Sequence, residues 1–210
     1  MSIFITFEGG EGCGKSTQAQ ALWEKLSQLG IPVELTHEPG GTTLGKELRH
    51  LLKKKGGAII SPQAELLLFA ASRTQLVSEV IRPNLQRGNI VICDRFADST
   101  TVYQGDGRQI DMNIIKTTIE LATQGIKPDL TILLDIPVEE GLGRKKRSRQ
   151  DRFESEDIGF HNRIREGYLK LAAAEPGRWL VIDAAMSQAE VSRIIWAKVE
   201  PLLKAKHDLP

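Results

Sequence analysis

Residues 9–17 combine glycines, a lysine and hydroxyl side chains in a spacing that suits a phosphate ligand. The run GGEGCGKST matches the P-loop pattern G-x-x-x-x-G-K-[ST]. Glycines leave backbone N–H groups free to surround a phosphate, and the N-terminus of a following helix adds positive charge. Lys15 is expected to reach the β- and γ-phosphates, and Ser16 to offer a hydroxyl to Mg²⁺ with help from Thr17. The predicted nucleotide-binding residues of the loop are Gly9, Gly10, Glu11, Gly12, Cys13, Gly14, Lys15, Ser16 and Thr17.

Polar residues also follow two further apolar runs. Asp94 and Arg95 come directly after one run, and Glu38 opens the sequence EPGGT after another. In open α/β sheets, ligands bind at the carboxyl ends of the strands. Asp94 is suited to hold Mg²⁺ or its waters, and the planar guanidinium of Arg95 matches a phosphate on a second substrate. The alternatives are a structural ion pair at 94–95 and a simple turn at 38–42.

The densest basic run of the chain, GRKKRSRQDRFE, occupies residues 143–154. We predict a short mobile lid over approximately these residues, which closes over ATP and brings arginines against the transferring phosphoryl group. A solvated helix face or a nucleic-acid patch is the alternative. The nearly neutral chain and the lack of aromatic residues between the arginines weigh against nucleic acid.

Short apolar runs rich in β-branched residues alternate with helical patterns, as expected of a parallel sheet. Their nearly continuous apolar character is typical of strands covered on both faces. The P-loop then has a strand before it and a helix from Lys15 to Leu29 after it, which a glycine-rich turn without a ligand does not explain. We predict one α/β domain over residues 1–210, a P-loop NTPase fold with a five-stranded parallel sheet and helices on both faces. The predicted strands are 3–7, 33–36, 90–93, 130–134 and 179–182.

Helix boundaries are marked by capping residues. Ser61 followed by Pro62 opens an apolar periodic segment. Ser187 and Glu190 form a capping box, and the helix they open is predicted to run to about Leu203. Glycines in the left-handed conformation are expected to end three other helices, at Gly30, Gly88 and Gly125.

Composition limits the possible partners and compartment. The 28 basic and 27 acidic residues give a net charge of +1, so no global field directs the chain to nucleic acid or to a membrane surface. The two cysteines, Cys13 and Cys93, lie in no metal or disulfide spacing, which favours a reducing compartment. The first residues show no basic segment followed by a long apolar stretch, and no run reaches about 18 apolar residues, so we expect neither a leader nor a membrane span. We therefore expect a cytoplasmic protein without nucleic-acid or membrane partners.

Taken in order, these motifs resemble the thymidylate kinase family, in the bacterial form whose lid carries the extra arginines. The resemblance rests on FEGGEGCGKST at 7–17, EPGGT at 38–42, FAASR at 69–73, DRF at 94–96 and STTVYQGDGR at 99–108. It implies transfer of the γ-phosphoryl group of ATP to dTMP, giving dTDP and ADP, a step in dTTP biosynthesis. It also implies Mg²⁺ as the cofactor and a homodimer.

The resemblance assigns roles on the acceptor side. Phe69, otherwise interpretable as a core residue, would stack on thymine, and Arg73, one helical turn later, would bond a base carbonyl. Tyr103 would crowd the sugar 2′ position, Glu11 would reach the 3′-hydroxyl and Arg95 the acceptor phosphate. The full set of predicted substrate-binding residues is Glu11, Glu38, Phe69, Arg73, Arg95, Ser99, Thr100, Tyr103 and Gln104.

The resemblance also implies catalytic and metal-binding roles. The catalytic residues would be Lys15, Arg95, Arg149 and Arg152, with Arg147 in reserve, and the metal ligands Ser16 and Asp94. Arg144 would pack near adenine, close to residues 184–186. The acceptor phosphate is already nucleophilic, so the chemistry needs alignment and charge neutralisation and no general base.

Two other functions fit parts of the sequence. A deoxynucleoside kinase would need a carboxylate base, for which Glu38 is available, but it would not need an arginine for an acceptor phosphate. A regulatory nucleotide switch would need no acceptor pocket. The sequence also departs from the common family pattern at Phe96, Val102 and Gln109, which leaves the tolerance for dUMP and other acceptors open.

Overall fold

The computed structural model describes residues 2–56, 59–144 and 151–206. Its centre is a five-stranded sheet in the order β2-β3-β1-β4-β5, in which every pair of neighbouring strands is parallel. The predicted α/β fold with five parallel strands is thus confirmed. The strands are β1 (Ile3–Glu8), β2 (Val33–His37), β3 (Ile90–Asp94), β4 (Leu130–Asp135) and β5 (Trp179–Asp183).

Each strand extends one residue beyond its predicted end, and that residue carries a polar side chain. The five residues lie together at the carboxyl edge of the sheet: Glu8, His37, Asp94, Asp135 and Asp183. The apolar runs therefore predict the strand interiors correctly. They end one residue early because an apolar criterion excludes a polar residue that still has extended backbone.

Helices cover both faces of the sheet. Alternate residues of β1 point to opposite sides, with Ile5 in a cluster that includes Leu26 of the first helix, and Phe4 in a cluster that includes Leu76 of the third. The helices are α1 (Lys15–Gln28), α2 (Thr43–Lys53), α3 (Pro62–Leu76), α4 (Arg82–Gln86), α5 (Ala97–Thr100), α6 (Met112–Thr123), α7 (Val138–Gly143), α8 (Ile158–Ala174) and α9 (Gln188–Lys206). Two π-helical segments, π1 (Val77–Ile81) and π2 (Thr101–Gly107), follow α3 and α5.

The predicted helix boundaries are confirmed by their caps. The Ser61 hydroxyl accepts a hydrogen bond from the backbone of Ala64. Ser187 and Glu190 exchange hydrogen bonds as a capping box, and α9 continues to Lys206. Positive φ angles occur at Gly30, Gly88 and Gly125.

The structure bears on two further expectations, the lid and the absence of a membrane span, only within the described residues. Residues 145–150 of the predicted lid, which include Arg147 and Arg149, lie outside the described residues. Within the described ranges, no helix is long and apolar enough to cross a membrane.

Candidate active site

The carboxyl ends of β1, β2 and β3 open into a cavity of about 560 Å³. The P-loop forms one side of this cavity, and α3 with the segment after β3 forms the other. The structure therefore brings together most of the residues that the sequence predicts for the donor and the acceptor. The predicted residues that line the cavity are Glu11, Gly12, Gly14, Lys15, Ser16, Thr17, Glu38, Phe69, Arg73, Asp94, Arg95, Ser99, Thr100, Tyr103, Gln104 and Arg144.

The P-loop has its conformation because two of its glycines lie where no side chain fits. Gly12 has φ 70°, and a Cβ atom there would overlap the carbonyl group of Gly141 in α7. Gly9 has φ 140°, and a Cβ atom would overlap the carbonyl oxygen of Leu134 in β4. The loop is thus packed closely against β4 and α7. Gly9, Gly10 and Cys13 belong to this loop but are not among the residues that line the cavity.

Lys15 begins α1 and folds back over the P-loop. Its Nζ donates hydrogen bonds to the carbonyl oxygens of Gly10 at 2.6 Å and Gly9 at 3.1 Å, and lies 3.4 Å from the Sγ atom of Cys13. The side chain is largely buried. A positive charge is therefore held against the loop that the sequence assigns to the phosphates.

Ser16 and Asp94 meet at the mouth of the P-loop, where the Ser16 hydroxyl donates to a carboxylate oxygen of Asp94. Among the described residues, no three His, Cys, Asp or Glu side chains gather into a metal site. Mg²⁺ is commonly bound by one or two carboxylates together with substrate phosphates and water. A hydroxyl and a carboxylate, both oxygen donors, fit Mg²⁺ in that mode.

Arg95 lies at the centre of the cavity wall. Its backbone has φ 71°, uncommon for a residue with a Cβ, and its guanidinium pairs with Glu11 at 2.7 Å. The Tyr103 hydroxyl donates to the same carboxylate at 2.9 Å. Burial favours a raised pKa for Glu11, but Arg95, Lys15 and Lys53 outweigh burial and lower this pKa well below its usual range. Glu11 is thus an anion at neutral pH.

Arg73 is held by protein partners in the acceptor half of the cavity. Its Nε donates to Glu38 Oε2 at 2.8 Å, one terminal nitrogen to Thr100 Oγ1 at 2.8 Å, and the other to the Phe96 carbonyl at 3.0 Å. The terminal nitrogen that bonds Phe96 also lies 2.7 Å from Glu38 Oε2, so at least three of the five N–H groups of this arginine are committed. The second carboxylate oxygen of Glu38, Oε1, is buried without a hydrogen-bond partner in the described part of the chain.

Two aromatic rings and an amide border the space beside Arg73. Phe69 is partly buried, with its ring centroid 5.8 Å from that of Phe153, a residue of the predicted lid. Gln104 is buried, and its Nε2 donates to Glu65 Oε1 at 2.8 Å. Phe69 therefore lies at the boundary between the core and the cavity, which accounts for both interpretations of its sequence.

The described arginines of the predicted lid differ in position. Arg144 lines the cavity and donates to the carbonyl oxygen of Ala184 at 3.0 Å, which brings it to the segment after β5. Arg152 does not line this cavity. Its guanidinium pairs with Glu65 at 2.7 Å and donates to the Leu52 carbonyl at 2.9 Å. A catalytic contact by Arg152 thus stays a prediction, as does one by Arg149 outside the described residues.

The structure also adds site residues that the sequence reasoning missed. His37, Arg49 and Lys53 line the cavity beside Glu38, and Arg49 and Lys53 supply positive charge. Burial, followed by the charge of Arg49, lowers the pKa of His37, so its imidazole is neutral at neutral pH. Arg49 lies in a helix that begins one residue after the EPGGT motif, so that motif was the available signal.

Two buried carboxylates were missed as well. Glu8 ends β1 immediately before the P-loop, and Glu65 precedes Phe69 by four residues on α3. Both are fully buried. The spacing of Glu65, Phe69 and Arg73 at i, i+4 and i+8 places them on one helix face and would have identified Glu65. Glu8 could be recognised only as a polar residue at the end of an apolar run.

Comparison with known proteins agrees with this geometry. Residues 7–195 match the family model described as thymidylate kinase. A thymidylate kinase of Dehalococcoides mccartyi is 53% identical over 204 residues, which cover 97% of this chain and 99% of that protein. A thymidylate kinase of Synechococcus sp. is 52% identical over 201 residues, covering 96% of each. The crystal structure of thymidylate kinase from Ehrlichia chaffeensis has a TM-score of 0.74 and 38% identity, and covers 92% of this chain and 98% of that one. The chain belongs to the thymidylate kinase family.

Proposed function

We propose that the cavity at the carboxyl ends of β1, β2 and β3 is the site at which this chain transfers the γ-phosphoryl group of ATP to dTMP. As a member of its family, the chain is a dTMP kinase that phosphorylates dTMP to dTDP in dTTP synthesis. The observation that supports the site is that P-loop residues and the acceptor-side residues Phe69, Arg73 and Arg95 line one cavity. The whole chain would act as a single nucleoside monophosphate kinase domain.

On the donor side, the P-loop backbone and Lys15 would bind the ATP phosphates, and Arg144 would lie beside adenine. Kinases of this family use ATP with a divalent metal; we propose Mg²⁺, held by the Ser16 hydroxyl and the Asp94 carboxylate. The bound ion would neutralise charge on the donor phosphates. The contact between Arg144 and Ala184 supports the adenine position, since it joins α7 to the segment after β5.

On the acceptor side, Arg95 would bind the dTMP phosphate, with Arg49 and Lys53 adding positive charge. Glu11 would accept a hydrogen bond from the sugar 3′-hydroxyl. Tyr103, whose hydroxyl is hydrogen-bonded to Glu11, would limit space at the 2′ position. The remaining predicted contacts surround the base. Phe69 would stack on thymine, and Glu38, Arg73, Ser99, Thr100 and Gln104 would form the polar wall.

The chemistry asks for alignment and charge compensation. The attacking atom is a phosphate oxygen, which needs no base, so Arg95 and Lys15 act by holding two anionic groups together. Among the lid residues, Arg149 is our candidate for contact with the transferring group. Arg152 would have to leave Glu65 to reach it, and its contacts support a role in anchoring the lid to α3.

We also propose a homodimer, assembled through α2, α3 and α6. These helices pack side by side, and each carries a large exposed apolar side chain: Leu51 is 44% exposed, Leu67 62% and Leu121 76%. We propose that these three side chains form one apolar patch, a feature that marks interfaces between proteins.

A panel of acceptors tests the proposed reaction. ADP release with ATP and Mg²⁺ is measured for dTMP, dUMP, thymidine and the ribonucleoside monophosphates. We expect turnover to be highest on dTMP and to be absent on thymidine, which lacks the phosphate for Arg95. Comparable turnover on thymidine would favour a deoxynucleoside kinase, and ATP hydrolysis independent of any acceptor would favour a switch.

A further inference from the structure

Glu8 is a fully buried carboxylate that does not line the cavity but lies directly behind it. Three donors converge on it. The backbone N–H of Phe96 donates to Oε1 at 2.8 Å. The hydroxyls of Ser99 and Tyr168 donate to Oε2 at 2.6 and 2.7 Å. Because all three partners donate, Glu8 acts purely as an acceptor in this arrangement when it is ionised.

The same two hydroxyls contact the guanidinium of Arg95. The NH1 group of Arg95 lies 3.4 Å from Ser99 Oγ and 3.3 Å from Tyr168 Oη, and the two hydroxyl oxygens are 2.9 Å apart. Each hydroxyl has a single proton. When both hydroxyls donate their hydrogen bonds to Glu8, the lone pairs of both oxygens face Arg95. Removing the acceptor lets either hydroxyl turn its proton toward the guanidinium instead.

Glu8 also holds the backbone on which Arg95 sits. Arg95 has the left-handed φ of 71°, which costs free energy for a residue with a side chain. Its own N–H donates to the Phe7 carbonyl at 2.9 Å, and the next N–H, that of Phe96, donates to Glu8. The end of β1 thus fixes the peptide units on both sides of Arg95.

The charges that face Glu8 are consistent with an organised network. The nearest charged groups are Asp98 and Arg95, and the remaining partners are neutral donors. The backbone of β1 is paired on both sides, so these three hydrogen bonds to the Glu8 side chain are additional to the pairing of the sheet.

We propose that Glu8 is a positioning residue which, through Ser99 and Tyr168, orients the guanidinium of Arg95 toward the phosphate of the acceptor. The role rests on the proposed binding of that phosphate by Arg95. Tyr168 belongs to α8, the helix that follows the predicted lid, so the network also ties this helix to the acceptor site.

Calorimetric binding of dTMP and thymidine tests the proposal, because only dTMP carries the phosphate. The variants are Glu8→Gln, which keeps the shape of the side chain, and Tyr168→Phe, which removes one hydroxyl. We expect each to weaken dTMP binding about tenfold, as for a lost hydrogen bond to a charged group, and to leave thymidine binding within about twofold. In steady-state kinetics, KM for dTMP should rise while KM for ATP stays unchanged.

Thr6→Val is the matched control. It removes a buried hydroxyl on the same strand, where Thr6 and Thr131 share a hydrogen bond of 2.9 Å. Within the described residues, the other hydrogen bonds of the Thr131 side chain run to Asp98 and Arg178 and not to Arg95, Ser99 or Tyr168. It should leave both dissociation constants unchanged. Equal weakening of dTMP and thymidine by Glu8→Gln and Tyr168→Phe, or the same loss in Thr6→Val, would show a merely structural role and overturn the proposal.

Arg95→Ala separates this proposal from the function on which it rests. If Arg95→Ala leaves dTMP affinity unchanged, the proposed acceptor site fails. If Arg95→Ala weakens dTMP binding and Glu8→Gln does not, only the positioning role fails. In an Arg95→Ala background, Glu8→Gln should cause no further loss, because the two changes act on the same contact.

Discussion

Lys15 and Arg95 divide the site at the scale of single residues. The ammonium of Lys15 bonds to the carbonyls of Gly9 and Gly10 and lies beside Cys13. Arg95 is connected to Glu11, Tyr168 and Ser99 and shares the Gly9 carbonyl with Lys15. The donor and acceptor halves thus use separate cations. Their functions should be separable by mutation.

Lys15→Ala should lower kcat at least about a hundredfold, because it removes a preorganised charge from the donor phosphates. dTMP affinity should stay close to that of the parent, because the hydrogen bonds of Lys15 go to Gly9, Gly10 and Cys13 and not to the acceptor-side residues. ADP release and calorimetry with dTMP measure the two effects, with the exposed Lys198→Ala as control. A large loss of dTMP affinity would contradict this division of roles.

Glu8 should also make stability depend on pH. Burial, and then the charge of Asp98, raise the pKa of Glu8 from 4.5 to about 7. The folded chain therefore retains a proton on Glu8 over a range where the unfolded chain has lost it. The stability that this group contributes is fully present below the unfolded pKa and is lost as pH rises through the folded pKa.

Glu8→Gln removes this ionisation, so the variant should gain stability relative to the parent as pH rises. Between pH 5 and pH 8 the difference in free energy of unfolding should shift toward the variant by up to about 3 kcal/mol. Urea unfolding at both pH values measures it. A difference that is the same at both would show that Glu8 titrates normally. The carboxylate that lowers stability at high pH is the one proposed to position Arg95, a trade-off common at functional sites.

At the scale of elements, α7 and the P-loop approach so closely that only glycine fits between them. A Cβ atom on Gly141 would overlap the carbonyl oxygen of Glu11, whereas one on Gly143, in the same helix, would meet no atom of the described residues within 4 Å. Gly141→Ala should therefore cost about 1–3 kcal/mol of stability and reduce kcat/KM for ATP. Gly143→Ala should be neutral or stabilise by less than about 1 kcal/mol. Thermal unfolding and ATP kinetics compare them, and equal behaviour of the two variants would contradict the close packing.

A second element-scale contact ties the segment after residue 150 to α2 and α3. Glu65 is fully buried, forms ion pairs with Arg108 and Arg152, and accepts a hydrogen bond from Gln104. Glu156 also pairs with Arg108, at 2.6 Å, but is 25% exposed. The two carboxylates therefore form a natural comparison.

Glu65→Gln should destabilise the fold by about 2–4 kcal/mol, because it leaves two partly buried arginines without their shared anion. Glu156→Gln should cost less than about 1 kcal/mol, as is usual for an exposed ion pair. Denaturant unfolding of both variants measures the two losses in free energy of unfolding. Comparable losses would mean that burial of Glu65 adds nothing to the pair.

The element scale also shows how far sequence reasoning carries. The five strand interiors and the caps at Ser61 and Ser187 follow from local composition, and the structure confirms them. The two π-helical segments carry no comparable local mark. The segment 101–107 contains Tyr103 and Gln104, and its backbone conformation depends on packing against α8.

For the whole molecule, the proposed homodimer makes a direct prediction. Leu67→Glu and Leu121→Glu each place a charge on the exposed apolar surface of α3 or α6 and should convert a dimer into a monomer. Sedimentation velocity measures the mass. Val181→Glu serves as control, because Val181 is 47% exposed on the edge strand β5, away from those helices. A parent that sediments as a monomer would refute the dimer.

The sequence by itself determined the P-loop, the alternation of strands and helices, and the placement of Asp94 and Arg95 at the carboxyl end of a strand. These features follow from spacing within a few residues: glycines at fixed intervals, apolar runs and caps. The family resemblance then followed from several such motifs in order.

Only the tertiary structure decided which buried polar groups serve the site. Glu8 and Tyr168 are separated by 160 positions in the chain, and Arg152 is joined to Glu65 from the far side of the lid. No local pattern predicts such pairs, because a buried carboxylate accepts whichever donors the packing of distant elements brings to it. Motifs in the sequence therefore predict the edge of the sheet. The hydrogen-bond networks of Glu8 and Glu65 behind that edge depend on how α3 and α8 pack against it.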